Sequence, residues 1–312
     1  MHVAILGTRG IPARYGGFET FAEELGARLA ARGHRVTVYT RRHLASPGLE
    51  EYRGVQLRVL PALRTKALET LSHTALSVLD PRLAGADVVL LCNAANAVFI
   101  PLLHARGLPV ALNVDGLERK RRKWGALARR YYLLAERLSA RWADALVTDA
   151  RVIQRYYRRA WRRPSVMIPY GGDLPQPRST CTLDALGLKP RGYFLYVSRF
   201  EPENNPDRVA ASYRAVPGAL PLVLVGGAPY AAALTRRVQA LAAADRRIIL
   251  PGAIYGEGYR ELLFYARAYI HATEVGGTHP ALVEAMGAGQ IVFFLDNPVS
   301  YTHLTLPTIY SV

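Results

Sequence analysis

The segment from Val275 to Gly289 contains residues whose types and order suit the binding of a phosphate and a hydroxyl group. A glycine pair leads through Thr278 and Pro280 into an apolar stretch that carries one acid, Glu284. We predict a helix with Thr278 as its N-cap, because threonine caps helices and proline is favoured in the first turn. The free N–H groups and positive dipole end of such a helix bind anions. This indicates a sugar nucleotide as ligand, and the alternative is a buried helix with a surface glutamate.

A second glycine-rich turn follows the strand predicted at the N-terminus. The strand at 2–6 runs into Gly7-Thr-Arg-Gly-Ile-Pro-Ala-Arg-Tyr-Gly-Gly-Phe-Glu19, and we predict that a helix begins near Gly17. Arg9 and Arg14 are candidate phosphate ligands in this turn, because guanidinium groups pair well with phosphate. The turn is not the G-x-G-x-x-G fingerprint, and no acid closes the strand that begins at Arg35. Dinucleotide binding is therefore disfavoured.

Two more turns of this kind lie in the second half of the chain. Arg199 comes just after a predicted strand, where its guanidinium could reach a diphosphate, and the next strand ends in Val225-Gly-Gly-Ala228. Each turn alone is more typical of an ordinary loop. Together they indicate a ligand at the carboxyl ends of the strands.

These turns connect strands and helices that alternate along each half of the chain. In the first half, strands are predicted near residues 2–6, 35–39, 56–60, 87–91, 109–114, 145–148 and 165–168, with helices at 17–32, 65–79, 96–106, 119–141 and 149–161. In the second half, strands are predicted near 193–198, 221–226, 247–250, 268–270 and 291–295, with helices at 204–215, 229–244, 257–267 and 279–288. Short apolar strands that alternate with helices predict an α/β fold with parallel sheets.

The break in this pattern predicts two Rossmann-like domains. We place the first at 1–172, a linker rich in glycine and proline at 173–192, and the second at 193–298. The ligand is expected in a cleft between the two domains.

Length and composition agree with a globular protein of two domains. The chain has 312 residues, half of them hydrophobic, and two cysteines without a metal-binding pattern. The N-terminus begins directly as a strand without a signal peptide, and no apolar run reaches the roughly 18 residues of a spanning helix. We therefore expect a cytoplasmic protein without a structural metal.

The formal net charge of +16 requires an explanation. Basic residues concentrate in Arg119-Lys-Arg-Arg-Lys123 and recur through the predicted helices up to Arg163. Nucleic acid, an anionic membrane surface and a simple excess of arginine are the alternatives. No nucleic-acid-binding motif is present. We favour attraction of residues 119–163 to an anionic membrane or lipid substrate, peripherally on the inner face of the membrane.

The chain resembles the retaining glycosyltransferases of family 4, which have the GT-B fold. Its first half is similar to the rhamnosyltransferase-like N-terminal domain of bacterial polysaccharide enzymes. The residues that carry the resemblance, which covers residues 1–298, are Gly7-Thr-Arg-Gly-Ile-Pro12, Tyr15-Gly-Gly-Phe-Glu19, Asn113-Val-Asp-Gly-Leu-Glu118, Lys123-Trp124, Ile168-Pro-Tyr-Gly171, Glu201-Pro-Glu-Asn204 and Val275-Gly-Gly-Thr278.

The resemblance implies roles for particular positions in binding a nucleotide-sugar donor. Arg199 matches the arginine on the donor diphosphate, and Glu284 matches the second acid of the E-x7-E motif, which contacts the ribose. The other positions implied at the donor are Gly16, Gly17, Asn204, Gly277 and Thr278.

The chain also departs from the family pattern. Gly276 stands where the first acid of E-x7-E is expected, and the spacing of Glu274 does not suit that role. Asn204 replaces a lysine, and Asp115 replaces a histidine. These departures leave open a catalytically inactive nucleotide-sugar-binding protein.

We expect Asp115 and Glu118 to be the catalytic candidates that hold acceptor or donor hydroxyls. An equally good alternative is that Asp115 closes a loop turn and Glu118 is an acid at the start of a helix. The resemblance implies metal-independent transfer of a sugar, with rhamnose suggested, from a nucleoside diphosphate to a glycan or lipid-linked acceptor, without a cofactor. A sugar-nucleotide epimerase of the same architecture is the alternative from another class.

The last residues, 299–312, match neither the expected helix nor a family motif. They resemble translated adapter sequence at the end of a truncated reading frame. We therefore expect a non-native tail and an incomplete second domain, and the alternative is a divergent C-terminal strand.

Overall fold

The computed structural model describes residues 1–13, 16–65, 68–122, 124–172, 176–227, 231–296 and 309–311. The chain forms two compact units, each built on one sheet. The first comprises Met1–Arg119 and Trp124–Pro169, and the second comprises Lys120–Lys123 and Tyr170–Val312. The predicted α/β class with two parallel-sheet domains is confirmed.

The first unit alternates strands and helices along the chain. Its elements are β1 (His2–Leu6), α1 (Gly17–Ala31), β2 (Arg35–Arg41), β3 (Glu51–Tyr52), β4 (Val55–Leu60), α2 (Glu69–Leu79), β5 (Val88–Cys92), α3 (Ile100–Ala105), β6 (Val110–Asn113), α4 (Ala126–Trp142), β7 (Ala145–Thr148), α5 (Arg151–Trp161) and β8 (Val166–Met167).

The sheet of this unit has the order β3-β4-β2-β1-β5-β6-β7-β8. All pairs are parallel except β3 with β4, which is antiparallel. The chain builds outward from β1 to β4 and then returns to β5 on the other side of β1. The point where the order reverses therefore lies between β1 and β5, and doubly wound sheets bind ligands at such points.

The second unit repeats this plan. Its elements are α6 (Cys181–Ala185), β9 (Phe194–Arg199), α7 (Pro206–Tyr213), β10 (Leu222–Gly227), α8 (Ala232–Ala243), β11 (Ile248–Gly252), α9 (Gly256–Tyr265), β12 (Ala268–His271), α10 (Pro280–Gly287), β13 (Ile291–Phe294) and β14 (Ile309–Ser311). The parallel sheet has the order β11-β10-β9-β12-β13-β14, so its order reverses between β9 and β12.

The strands of the second sheet are apolar because both faces are covered. On β10, Val223 and Val225 belong to one core cluster, whereas Leu222 and Leu224 belong to the other. Successive side chains of a strand point to opposite faces, so a strand between two helical layers needs apolar residues at every position. This explains why continuous apolar runs, and not alternating ones, marked the strands in the sequence.

Some predicted elements differ from the structure at their ends. The helix predicted at 96–106 begins as a 3-10 segment, Ala94–Phe99, and α3 follows it with Pro101 in its first turn. Proline lacks an N–H and favours a helix start, which explains the division. The helix predicted at 119–141 begins only at Ala126. The short elements β3 and α6 were not predicted.

The C-terminal residues add a strand to the second sheet. Ile309–Ser311 pairs in parallel with β13. The alternative to a non-native tail, a divergent C-terminal strand, requires such pairing. Residues 297–308 and 312 lie outside the described residues. The expectation of a non-native tail stays a prediction, as do the exact domain boundaries.

Candidate functional site

The glycine turn after β1 packs tightly against its own unit. Gly7 and Gly10 have φ angles of +88° and +107°, which non-glycine residues rarely adopt. A Cβ atom on Gly7 would overlap the carbonyl of Cys92, and one on Gly10 would overlap the side chain of Thr40. These glycines are therefore required by the fold itself, whatever ligand the turn binds.

Glu19 fastens this turn to the start of α1. The helix begins at Gly17 with Gly16 as N-cap, which confirms the predicted helix start. The buried Glu19 accepts a hydrogen bond from the backbone N–H of Arg9 through Oε1 at 2.9 Å. Glu19 thus connects Arg9 to the first turn of α1, which begins at Gly16 and Gly17. Arg14 lies outside the described residues.

A charged group that sequence analysis missed occupies the carboxyl edge of the first sheet. We call it the Glu69 cluster, and it consists of Arg9, Arg41, His43 and Glu69. Arg41 Nη1 lies 3.2 Å and His43 Nε2 2.9 Å from Glu69 Oε1. Arg9 Nη2 lies 3.5 Å from Oε2 of the same carboxylate. One carboxylate therefore contacts three basic side chains.

Arg41 is the most deeply buried member of the cluster. Its side chain is 2% exposed, and Nη2 donates to Thr70 Oγ1 at 2.9 Å. Its Nε atom has no hydrogen-bond partner among the described residues. Burial lowers the pKa of Arg41, Arg9 adds to that effect, and Glu69 opposes it. Burial alone would raise the pKa of Glu69, but Arg41 and Arg9 bring it below the usual value.

The catalytic candidates Asp115 and Glu118 follow β6 as predicted. The backbone N–H of Asp115 donates to Asn113 Oδ1 at 3.2 Å, which closes a local turn. Glu118 is buried and accepts a hydrogen bond from Trp124 Nε1 at 3.1 Å. Both residues have structural contacts, and their catalytic role stays a prediction.

In the second unit, Arg199 ends β9 and is fixed through its backbone. The buried Asn204 donates from Nδ2 to the Arg199 carbonyl oxygen at 2.7 Å, and its own carbonyl accepts from the hydroxyl of Tyr196. Asn204 therefore holds the turn after β9. This gives a structural reason for an amide at a position where the resemblance expects a lysine.

A second charged group, which we call the Glu274 cluster, consists of Arg121, Arg122, Glu203 and Glu274. Arg121 Nη1 lies 3.3 Å from Glu203 Oε1, and both side chains are buried. Arg122 Nη2 lies 2.6 Å from Glu274 Oε2. The Glu203 carbonyl accepts from the Glu274 backbone N–H at 2.8 Å, which joins the two pairs. Two arginines of the basic run thus form ion pairs within the second unit.

The start of α10 corrects one prediction. The N-cap is His279 and not Thr278, and the His279 side chain makes no capping hydrogen bond. Pro280 is the first helical residue, and a residue before proline favours an extended backbone, which His279 adopts. Thr278 is buried one residue further back, next to the buried Gly277. The helix ends at Gly287, and Gly289 follows with a φ of +68°, as the late glycines predicted.

His279 occupies the space beside Gly276. An ideal Cβ atom on Gly276 would lie 2.7 Å from the imidazole Cε1 and Nε2 atoms of His279. The ring centroid of His279 lies 4.9 Å from that of the buried His271. The acid that the resemblance expects at position 276 would therefore require a different His279 rotamer.

Glu284 lies on α10 and is held by a buried phenol. Its Oε2 accepts a hydrogen bond from the hydroxyl of Tyr259. Burial raises the pKa of Tyr259, and the carboxylate of Glu284 adds to the effect, so the phenol stays a donor. The carboxylate of Glu284 is consequently oriented before any ligand binds.

Helix α4 exposes a face that mixes leucine and arginine. Leu127 is 83% exposed, and Leu133 and Leu134 are also exposed. The exposed arginines of this helix are Arg129, Arg130, Arg137 and Arg141. Its one acid, Glu136, is buried and pairs with Arg119 at 3.1 Å. The exposed face of α4 therefore carries apolar and positive side chains without an acid.

Among the described residues, no helix combines the length and apolar character needed to cross a membrane. No group of three or more His, Cys, Asp or Glu side chains in the same residues has an arrangement that could hold a metal ion.

Comparison with known proteins relates the chain to glycosyltransferases. The model of the family described as glycosyl transferase 4-like domain matches residues 16–171. No curated protein sequence matches significantly.

Several solved structures share the fold. Sucrose-phosphate synthase from Thermosynechococcus elongatus has a TM-score of 0.78 at 20% identity, covering 95% of this chain and 81% of that one. HepE of Anabaena in complex with UDP-glucose has a TM-score of 0.74 at 16% identity, covering 96% and 82%. WaaG, a glycosyltransferase involved in lipopolysaccharide biosynthesis, has a TM-score of 0.70 at 17% identity, covering 97% and 83%. These similarities establish the GT-B fold.

Proposed function

Because this chain belongs to the glycosyl transferase 4-like family, whose model matches residues 16–171, we propose that it transfers a sugar from a nucleoside-diphosphate donor to a glycan or lipid-linked acceptor. We further propose retention of the anomeric configuration, metal independence and a role in cell-surface polysaccharide synthesis. Rhamnose is the donor sugar that the N-terminal motifs suggest.

One observation carries the donor assignment. Arg199 ends β9, and α10 with Glu284 follows β12, the strand next to β9 in the sheet. The strand order reverses between these two strands, which is where parallel sheets bind ligands. An arginine for the diphosphate and a carboxylate for the ribose therefore lie on the elements that flank the expected binding point.

The chemistry of transfer requires stabilisation of the leaving diphosphate. We assign this to Arg199 and to the N-terminal end of α10 beside Gly277 and Thr278, because a helix N-terminus favours negative charge. Removing one such donor typically reduces the rate by about 100- to 1000-fold. Asp115 and Glu118 are assigned to hydroxyl groups of the sugar or acceptor.

The donor assignment is tested by release of nucleoside diphosphate from a panel of nucleotide sugars, with and without lipid-linked acceptor. Release that depends on acceptor supports transfer, whereas sugar interconversion without acceptor favours the epimerase. Absence of binding to every donor contradicts both.

Arg199→Ala provides the residue test. We expect it to reduce release at least about 100-fold, as loss of a charge-stabilising donor does. Arg236→Ala is the matched control, because Arg236 is an exposed arginine of the same unit on α8. Equal rates for the two variants would remove Arg199 from the donor site.

We also propose that the protein acts in the cytoplasm, bound peripherally to the inner face of the membrane through α4. Leucines and arginines on one exposed helix face suit insertion among anionic lipid headgroups. The test is co-sedimentation with vesicles of phosphatidylcholine, with and without phosphatidylglycerol. Binding should require the anionic lipid and weaken in Arg130→Gln/Arg137→Gln, with Arg236→Gln/Arg246→Gln as control. Equal binding of both double variants would contradict the assignment.

A further inference from the structure

The parts of a nucleotide sugar follow a fixed order, and that order locates the sugar on the second unit. Glu284 is assigned to the ribose, and the start of α10 is assigned to the diphosphate. Glu284 lies five residues after the N-cap His279, which is about 7.5 Å along the helix axis. The sugar is attached on the far side of the diphosphate from the ribose. Its expected place is therefore beyond the helix start, beside Gly276 and His279.

The imidazole of His279 occupies the space at this end of α10. Gly276 is buried, and His279 is half-buried. An ideal Cβ atom on Gly276 would lie 2.7 Å from the imidazole Cε1 and Nε2 atoms, so not even a methyl group fits between them. A sugar substituent that pointed toward Gly276 would meet the same ring.

Two buried rings of β12 support this imidazole. His271, the last residue of the strand, is 4% exposed. Its ring centroid lies 4.9 Å from that of His279 and 6.3 Å from that of Tyr269, distances at which aromatic rings attract each other. Tyr269 is fully buried and donates its hydroxyl to the Val197 carbonyl at 3.2 Å. The position of the His279 ring is therefore fixed from within the unit.

The charge state of His271 suits this support. Burial lowers the pKa of His271 to about 4, so at neutral pH the ring carries no charge that would repel a second imidazole. The row of rings thus ends in a held side chain at the start of α10.

We propose that His279 determines which donor sugar the protein accepts, by limiting the size of the sugar beside Gly276, and that His271 positions the His279 ring. This inference rests on the proposed glycosyl transfer and names its donor class. A hexose with only hydroxyl groups or hydrogen toward α10 is accepted, whereas a group as large as acetamido is excluded.

Calorimetry with ligands that share one base tests the inference without an acceptor. UDP measures the nucleotide contacts alone, UDP-glucose adds a sugar with hydroxyl groups, and UDP-N-acetylglucosamine carries one acetamido group. We expect the native protein to prefer UDP-glucose. His279→Ala should reduce that preference at least about tenfold, which is the order of size discrimination in a pocket, and should leave the affinity for UDP unchanged. The corresponding dTDP ligands are used if the protein binds dTDP instead of UDP.

The matched control is His34→Ala. His34 is a half-buried histidine like His279, but it belongs to the first unit, away from the assigned donor residues. This variant should keep both the affinities and the preference of the native protein.

The role of His271 is tested by the same preference. His271→Ala should reduce it in the same direction as His279→Ala, by a smaller factor, and His271→Phe should restore it because a ring again supports His279. A general loss of stability would weaken UDP and both sugar nucleotides alike. If His271→Ala does not fold, His279→Ala still decides, because its side chain is only half-buried.

Gly276→Ala tests the packing between the two positions. The added methyl group displaces the imidazole, so we expect weaker binding of UDP-glucose. In the His279→Ala background the same change should have little effect, because the ring is absent. Equal effects in both backgrounds would show that the imidazole does not control the space beside Gly276.

Two results would overturn the inference while leaving the proposed function intact. One is a native protein that binds UDP-N-acetylglucosamine as tightly as UDP-glucose, and the other is a preference that His279→Ala does not change. Absence of binding of every nucleotide and nucleotide sugar to the native protein would instead contradict the proposed function, and the inference with it.

Discussion

The two charged clusters differ in how their charges are matched. In the Glu69 cluster, one carboxylate contacts two guanidinium groups and an imidazole. In the Glu274 cluster, Arg121 pairs with Glu203, whereas Arg122 and the neighbouring Arg208 both pair with Glu274. Three basic side chains thus share one carboxylate in the first cluster, whereas in the second cluster three share two. Loss of Glu69 would remove the partner of all three at once, whereas loss of Glu203 would remove that of Arg121.

The clusters also differ in what they connect. The contact of Arg41 with Thr70 joins residues 29 positions apart, and that of Arg121 with Glu203 joins residues 82 positions apart. The second contact also links to the loop after β12 through the Glu203 carbonyl. We therefore expect loss of Glu203 to disturb the turn that holds Arg199, and loss of Glu69 to disturb the first unit alone.

The largest effect is expected for Glu69→Gln. This change leaves the buried Arg41 without its carboxylate, and breaking a buried ion pair typically costs about 3–5 kcal/mol of unfolding free energy. Urea denaturation measures the effect. Glu24→Gln is the control, because Glu24 is a surface acid 43% exposed in its pairs with arginines. A decrease in unfolding free energy as small as that of Glu24→Gln would show that Glu69 does not stabilise Arg41.

A somewhat smaller effect is expected for Glu203→Gln, about 3 kcal/mol, because the glutamate pairs with one guanidinium. If the pair is structural, Arg121→Met/Glu203→Leu should recover much of the lost stability, since apolar residues can replace a buried ion pair. Recovery of neither stability nor activity in the double variant would contradict a purely structural role.

A moderate effect is expected from pH, because each unit has a buried histidine. Burial lowers the pKa of both His73 and His271 to about 4. Between pH 6.5 and 4 the unfolded chain binds more protons than the native protein, so the unfolding free energy falls as the pH falls.

Each histidine should contribute a loss of about 2 kcal/mol by pH 5, relative to neutral pH. Arg41 also lowers the pKa of His73, whereas burial alone acts on His271. Replacing Arg41 by methionine should therefore raise the pKa of His73 and leave His271 unchanged. NMR titration of both imidazoles checks this. Equal changes in the pKa values of His73 and His271 would show that Arg41 does not act on His73 in particular.

The smallest effect is expected for Arg122→Gln. Its side chain is 50% exposed in its pair with Glu274, and exposed ion pairs typically contribute about 0–1 kcal/mol. Urea denaturation at low and high salt measures it, and the difference from the native protein should vanish at high salt. A loss that persists at high salt would show that Arg122 stabilises the loop by more than its charge.

The fold was predictable from sequence because its signals are local. Short apolar runs located the strands, and Gly17 was correctly expected to begin a helix. The N-cap of α10 was predicted wrongly, since the restriction that Pro280 places on His279 outweighs the capping preference of Thr278.

The site was less predictable, because its charges come together only in three dimensions. Arg199 was found from its position at a strand end. Arg41 ends β2 in the same way, but the end of that strand is where a dinucleotide-binding fold has an acid, so a buried arginine there was not expected. Glu69 and Glu203 had no local signal, since each is defined by a partner far along the chain. Arg121 was read as part of a basic run and not as half of a buried pair.

The contact between Gly276 and His279 has a consequence for engineering. Because the imidazole occupies the volume of a missing side chain, positions 276 and 279 form one packing unit. A library that aims to alter donor preference at position 276 must vary position 279 at the same time. In a single-site library, most side chains at position 276 would clash with the imidazole of His279. A library that varies both positions would include pairs of side chains that fit together.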